Sequence, residues 1–166
     1  MNPHEELFKH IRRFTNLAPE KEKLLISKLK YRKINRKDFL LREFQVCDGY
    51  YFVLTGCLRF YRNTESGFEQ ILQFAIPNWW LSDYRSFETQ QISEYNIQAV
   101  HDTGFLTLLR PDYEELFNTV PELNVYFRLM MQRAYTASLK KRSLYSVNLP
   151  KTDINNFLVP SRILYK

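Results

Sequence analysis

Between Tyr50 and Phe74 the chain reads YYFVLTGCLRFYRNTESGFEQILQF, interrupted only at Gly56 and at a turn over 63–67. Aromatic and β-branched residues suit the pleated, half-buried setting of a sheet. Gly67 can take the positive φ that a hairpin loop requires. Three consecutive strands joined this tightly commit the centre of the chain to antiparallel β structure. In 57–62, Leu58 and Phe60 alternate with Arg59 and Tyr61, which predicts one buried and one wet face. In 68–75, Phe68, Gln70, Leu72 and Phe74 share a side.

The flanks extend this plan. YRKI at 31–34 and FLLRE at 39–43 read as short strands around a polar turn at 35–38. Two more strands follow at 95–100 and 104–109. Before the strands, Leu7, Ile11 and Phe14 recur at helical spacing, and Pro19 can open a second helix carrying Leu25 and Leu29. The irregular stretch 77–93 is longer than most loops in a compact domain, so it is functional or holds a short helix. A helix begins at Arg110, with Pro111 in its first turn and a Tyr113, Leu116, Phe117 face.

Pro121 opens a longer helix. There Leu123, Phe127, Met130, Ala134, Ala137 and Leu144 recur at steps of four and three, with Lys141 at the remaining position. That heptad seam predicts a homodimer, and Ala134 and Ala137 would let two helices approach closely. Tyr126, Leu129 and Met131 form a second strip for the barrel side. The expected organisation is helices at 1–30, a barrel at 31–119, a long helix at 120–145 and an irregular tail at 146–166.

Composition narrows the function. The length allows one domain with a real core. The net charge, 24 − 18 = +6, favours an anionic partner only weakly. Cys47 and Cys57 are the only cysteines, too few for a disulfide framework, and no Cys/His cluster is spaced for zinc, so no metal is expected. The polar N-terminus and the lack of a long apolar run predict a cytoplasmic chain without membrane contact. No phosphate-loop, dinucleotide, serine-hydrolase or metalloprotease motif occurs, and Asp83 and Glu94 have no nucleophile or metal beside them. No catalytic residue and no enzymatic activity are expected. The run Lys28, Lys30, Arg32, Lys33, Arg36, Lys37 would bind phosphates if clustered. As the wet face of an edge strand it would instead block aggregation. Lys140, Lys141 and Arg142 suit the end of a helix dipole.

FLLREFQVC at 39–47, YYFVLTGCLRFY at 50–61, ESGFEQILQFAIPNWW at 65–80, SEYNIQAV at 93–100 and PDYEELF at 111–117 precede the long helix in a telling order. That order resembles the effector domain of the Crp/Fnr family, most of all its branch in Bacteroidetes-type bacteria. The resemblance implies a mainly β, jelly-roll, cyclic-nucleotide-binding-like fold with flanking helices and a long C-terminal dimerisation helix. It implies a transcription-regulating sensor with a small-molecule ligand. Carried over by position, ligand contacts fall to Trp79, Ser82, Asp83, Arg85, Ser93 and Tyr95, with Leu72.

The departures from the family matter. Its turn after the first strand often has Gly-Glu where this chain has Lys37 and Asp38, and a second usual glycine is Phe44. Either change implies a turn adapted to a side chain. In nucleotide-binding members, Gly-Glu contacts the ribose and Arg-Ser/Thr holds the cyclic phosphate. The matching positions are Ser82-Asp83 and Ser93-Glu94, so the phosphate arginine is absent. One serine hydroxyl beside a glutamate is a poor substitute for a guanidinium fork, so a cyclic nucleotide is disfavoured. An iron–sulfur cluster lacks its four cysteines. His10 and His101 are the imaginable haem ligands, but each reads more simply as a polar surface residue, so no cofactor is expected. Trp79 and Trp80 stack on a flat ligand or fill the core; filling is favoured. Only 166 − 145 = 21 residues follow Tyr145, too few for a winged helix-turn-helix. Sequence-specific DNA binding is therefore not expected. The alternatives are a truncated regulator that associates with DNA through its basic surface, and a cupin-like enzyme, which would need a histidine-rich metal set.

Overall fold

The computed structural model describes residues 2–146, with side chains through Thr136. Contacts divide the chain into two compact units, Met1–Tyr126 and Phe127–Lys166, so the division falls inside the long helix rather than at 119/120. The expected tail at 146–166 lies, beyond Ser146, outside the described residues.

The first unit carries eight strands. They are β1 (Lys30–Ile34), β2 (Phe39–Leu41), β3 (Gly49–Thr55), β4 (Leu58–Asn63), β5 (Glu69–Ala75), β6 (Trp80–Leu81), β7 (Asn96–Ala99) and β8 (Thr103–Leu109). They form two four-stranded antiparallel sheets, ordered β1-β8-β3-β6 and β2-β7-β4-β5. This is the jelly-roll arrangement that the strand order implied. The helices are α1 (Pro3–Ile11), α2 (Pro19–Lys28), α3 (Tyr84–Thr89), α4 (Arg110–Thr119) and α5 (Pro121–Ser146).

The central strands β3 and β8 are buried on both faces. Tyr51 and Phe52 point to opposite sides yet are 2% and 0% exposed. Tyr51 packs on Phe105, while Phe52 meets His10 of α1 and Trp80. A strand covered on both faces must be apolar at successive positions, which is why YYFV lacks alternation. β5 is the opposite case. It is the edge of its sheet, and Ile71, Leu72 and Phe74 are each about half exposed.

The alternation expected for β4 fails. Leu58 is buried, but so is Tyr61, whereas Phe60 is half-buried. Arg59 lays its guanidinium 4.2 Å from the Tyr61 ring centroid and is itself held by Gln98 and Glu69. This cation roof covers a face expected to be wet. Opposite Phe60 and Tyr61 the register of β5 jumps from Gln73 to Ile71, so Leu72 is an extra, bulged residue.

Lys37 and Phe44 were expected to sit in turns adapted to side chains. Both instead keep positive φ, 73° and 69°. The Lys37 amide donates to Ala99 O at 2.8 Å and the Phe44 amide to Ser93 O at 2.7 Å. These bonds hold a backbone shape that costs a non-glycine residue about 1–2 kcal/mol.

Candidate functional site

The irregular stretch contains the short strand β6, the helix α3 and a return to β7. Asp83 starts α3 as its N-cap: Oδ1 accepts the Ser86 amide at 3.1 Å. An aspartate three residues before a serine amide is an ordinary capping signal, a role the sequence expectations for Asp83 did not include. α3 stops at Gln90, whose φ of 55° is left-handed and whose amide closes onto Ser86 O.

Around this cap the candidate residues separate into three groups. Ser82, Asp83 and Ser93 are 2%, 4% and 2% exposed and spend their polar atoms on the protein. Ser82 Oγ donates to Gly49 O at 2.9 Å and lies 3.4 Å from Cys47 Sγ. Ser93 Oγ donates to Asp83 Oδ2 at 2.6 Å and accepts the Tyr95 amide at 2.9 Å. The carboxylate therefore joins the two ends of the 83–93 excursion. Arg85 and Glu94 form a second group, an ion pair at 3.1 Å with both side chains 61% exposed. Such a surface pair contributes about 0–1 kcal/mol. Leu72 and Trp79, the third group, are exposed. Tyr95 is half-buried, its ring 4.8 Å from that of Phe60.

The electrostatics follow directly. Among the described residues no cation forms an ion pair with Asp83. A phosphate brought there would meet a carboxylate and would have to break the Asp83–Ser93 bond. Burial pushes the Cys47 thiol up and the Tyr84 phenol up to about 12. Both stay protonated at neutral pH and offer no nucleophile.

The paired tryptophans have different fates. Trp79 is exposed, whereas Trp80 is buried and its Nε1 donates to the Tyr126 hydroxyl at 2.8 Å. His10 Nδ1 lies 2.7 Å from the same hydroxyl. His10 is thus not the surface residue expected from its sequence setting. It is a buried member of α1 joined to β6 and the start of α5. His101 is exposed. Among the described residues no group of three or more His, Cys, Asp or Glu could hold a metal ion, and no helix is long and apolar enough to cross a membrane.

Of the expected dimer seam, Leu123 is 1% exposed and belongs to the core of the first unit. Leu123 departs from the expected seam because α5 turns Leu123 and Tyr126, three apart, to one inward face. In the second unit Phe127 and Met130 are half-buried and Ala134 is exposed. The side chains of Ala137, Lys141 and Leu144 lie outside the described residues.

The model of the family described as cyclic nucleotide-binding domain matches residues 31–120, more than half of the chain. No curated protein sequence matches. Among solved structures, the catabolite activator protein of Thermus thermophilus is 24% identical with a TM-score of 0.64, over 79% of this chain and 61% of its own. A cyclic nucleotide-binding domain from Methylobacillus flagellatus is 17% identical with a TM-score of 0.70, over 90% and 86%. The sensor domain of the transcriptional regulator DNR from Pseudomonas aeruginosa is 19% identical with a TM-score of 0.58, over 90% and 93%. At these identities the likeness is one of fold. This chain spans about three fifths of the Thermus protein.

Proposed function

The chain belongs to the cyclic nucleotide-binding domain family, and from that premise we propose that it is a sensor domain of the Crp/Fnr type, working in transcription regulation. In this reading its phosphate cassette, the segment from Ser82 to Glu94, does not hold a cyclic phosphate tightly. The observation that carries this is the Asp83–Ser93 hydrogen bond, which closes the cassette on itself. The signal would be an unidentified small molecule bounded by Leu72, Trp79 and Tyr95, where apolar surface is open to solvent.

Thermal unfolding with cyclic AMP and cyclic GMP tests it. The expected result is no rise in Tm at millimolar nucleotide. Binding at a hundred times Kd would add about 2.7 kcal/mol, or roughly 5–11 °C for a domain of this size. A shift of that order would overturn the reading.

The sensor would work as a homodimer through α5, because Tyr135 is 65% exposed and Met131, expected on the barrel side, is instead 41% exposed, on a helix that already offers Ala134 for close approach. Sedimentation should give two chains for the wild type and one for Ala134→Glu, since a carboxylate at a close helix contact is desolvated without a partner. A monomeric wild type would refute the seam.

A further inference from the structure

The jelly roll is open along one seam. β1 pairs only with β8 and β2 only with β7, so each is the edge of its sheet. Alternate backbone amides along such edges point away from their sheet, although those of Arg36, Lys37, Asp38 and Arg42 are already bonded. Residues of both strands line a cleft of about 380 Å³, within the range of small-molecule sites.

The lining of the cleft is basic. Arg32, Lys33 and Arg42 line it with one carboxylate, Asp38, a net of 3 − 1 = +2. Among the described residues the ion-paired cations are Lys9, Arg12, Lys21, Lys28, Arg59, Arg85 and Arg110. None of the three cleft cations is among them. Arg42 is placed as well as exposed, since its guanidinium lies 3.7 Å from the Phe39 ring centroid. A stacked guanidinium keeps its N–H fork directed outward and loses little freedom on binding an anion. Leu40 and Phe39 add apolar wall. Lys30, Arg36 and Lys37 stand on the same two strands and their turn, which raises the positive potential.

We propose that this cleft binds a small organic phosphate with at least two phosphate groups and an apolar or aromatic body, at a site separate from the cassette. A monocarboxylate would leave the lining uncompensated. A polyphosphate matches the guanidinium forks and the remaining edge amides together.

Calorimetric titration of the whole chain in about 150 mM salt, where exposed charges are screened beyond about 8 Å, tests the site with pyrophosphate and adenosine 5′-diphosphate as probes. Saturable one-to-one binding is expected, with Kd below about 1 mM and the nucleotide tighter than pyrophosphate. Arg32→Gln combined with Arg42→Gln should weaken both probes at least about tenfold. Asp38→Asn should tighten them by about threefold by removing the like charge. Lys23→Gln, an exposed cation on α2, should change nothing. All of these positions are exposed, so the fold is retained. The proposal is overturned if neither probe saturates, or if Lys23→Gln weakens binding as much as the cleft variants. It is also overturned if a twenty-nucleotide single strand binds and pyrophosphate does not displace it, which would make the seam a nucleic-acid surface.

Discussion

Gly56→Ala will remove about 2–5 kcal/mol of stability, a large part of the 5–15 kcal/mol typical of a domain. Gly56 joins β3 to β4 at a φ of 81°. An added Cβ would lie 2.4 Å from Asp102 O, 2.5 Å from Thr103 Oγ1 and 2.8 Å from Thr103 Cα. Two of those atoms are backbone and cannot swing aside. The third is a hydroxyl that accepts the Cys57 amide at 3.0 Å and donates to His101 O at 2.7 Å. Left-handed strain accounts for about 1–2 kcal/mol and overpacking for about 1–3 more. Gly67 supplies the control. Its φ is 82°, but nothing lies within 4 Å of its would-be Cβ, so Gly67→Ala should cost only the strain. Urea unfolding of the two variants separates the effects. Equal losses would show that the contact with the β7–β8 turn is not what demands glycine at 56.

The elements that were legible are those whose signal is local. The strand runs, the Gly67 hairpin and the proline-initiated helices follow from periodicity and turn chemistry, and each stands where its residues indicated. What was not legible depends on partners distant in sequence. Tyr61 is buried because Arg59 is pinned over it by Gln98 and Glu69. His10 is buried because Tyr126, 116 residues later, offers its hydroxyl. Leu123 fits a heptad and a domain core equally well, and only the fold decides between them. The seam between β1 and β2 shows the same limit. The lysines and arginines of 30–37 could be read as a solvated edge, but Arg42 reaches the same cleft only through the sheet geometry. At the cassette, sequence position brought Asp83 and Ser93 forward as candidates for one ligand, and the structure bonds them to each other. Sequence position alone could not show that they converge on one another.

That convergence makes Asp83→Ala the sharpest test of the site. The Asp83 carboxylate satisfies two buried donors from different parts of the chain, the Ser86 amide at the start of α3 and the Ser93 hydroxyl before β7. Removing it deletes an N-cap, which costs about 0.5–2 kcal/mol. It also takes from the Ser93 hydroxyl its charged acceptor at 2.6 Å and leaves it only Tyr95 O at 3.2 Å, which costs about 1–3 kcal/mol. The unliganded protein should therefore lose about 1.5–5 kcal/mol. A carboxylate held in reserve for a ligand would behave oppositely. It would be a desolvated charge in the empty domain, and its removal would be neutral or stabilising until ligand is added. The conservative change Asp83→Asn keeps an amide oxygen for the Ser86 cap and turns an N–H₂ toward Ser93 Oγ, so it should recover at least half of the loss. A double-mutant cycle with Ser93→Ala isolates the cross-loop bond, with an expected coupling of about 1–3 kcal/mol. Additivity of the two substitutions would mean that Asp83 and Ser93 act independently. The cassette would then be open to a ligand, and the claim that it is closed by its own side chains would fail.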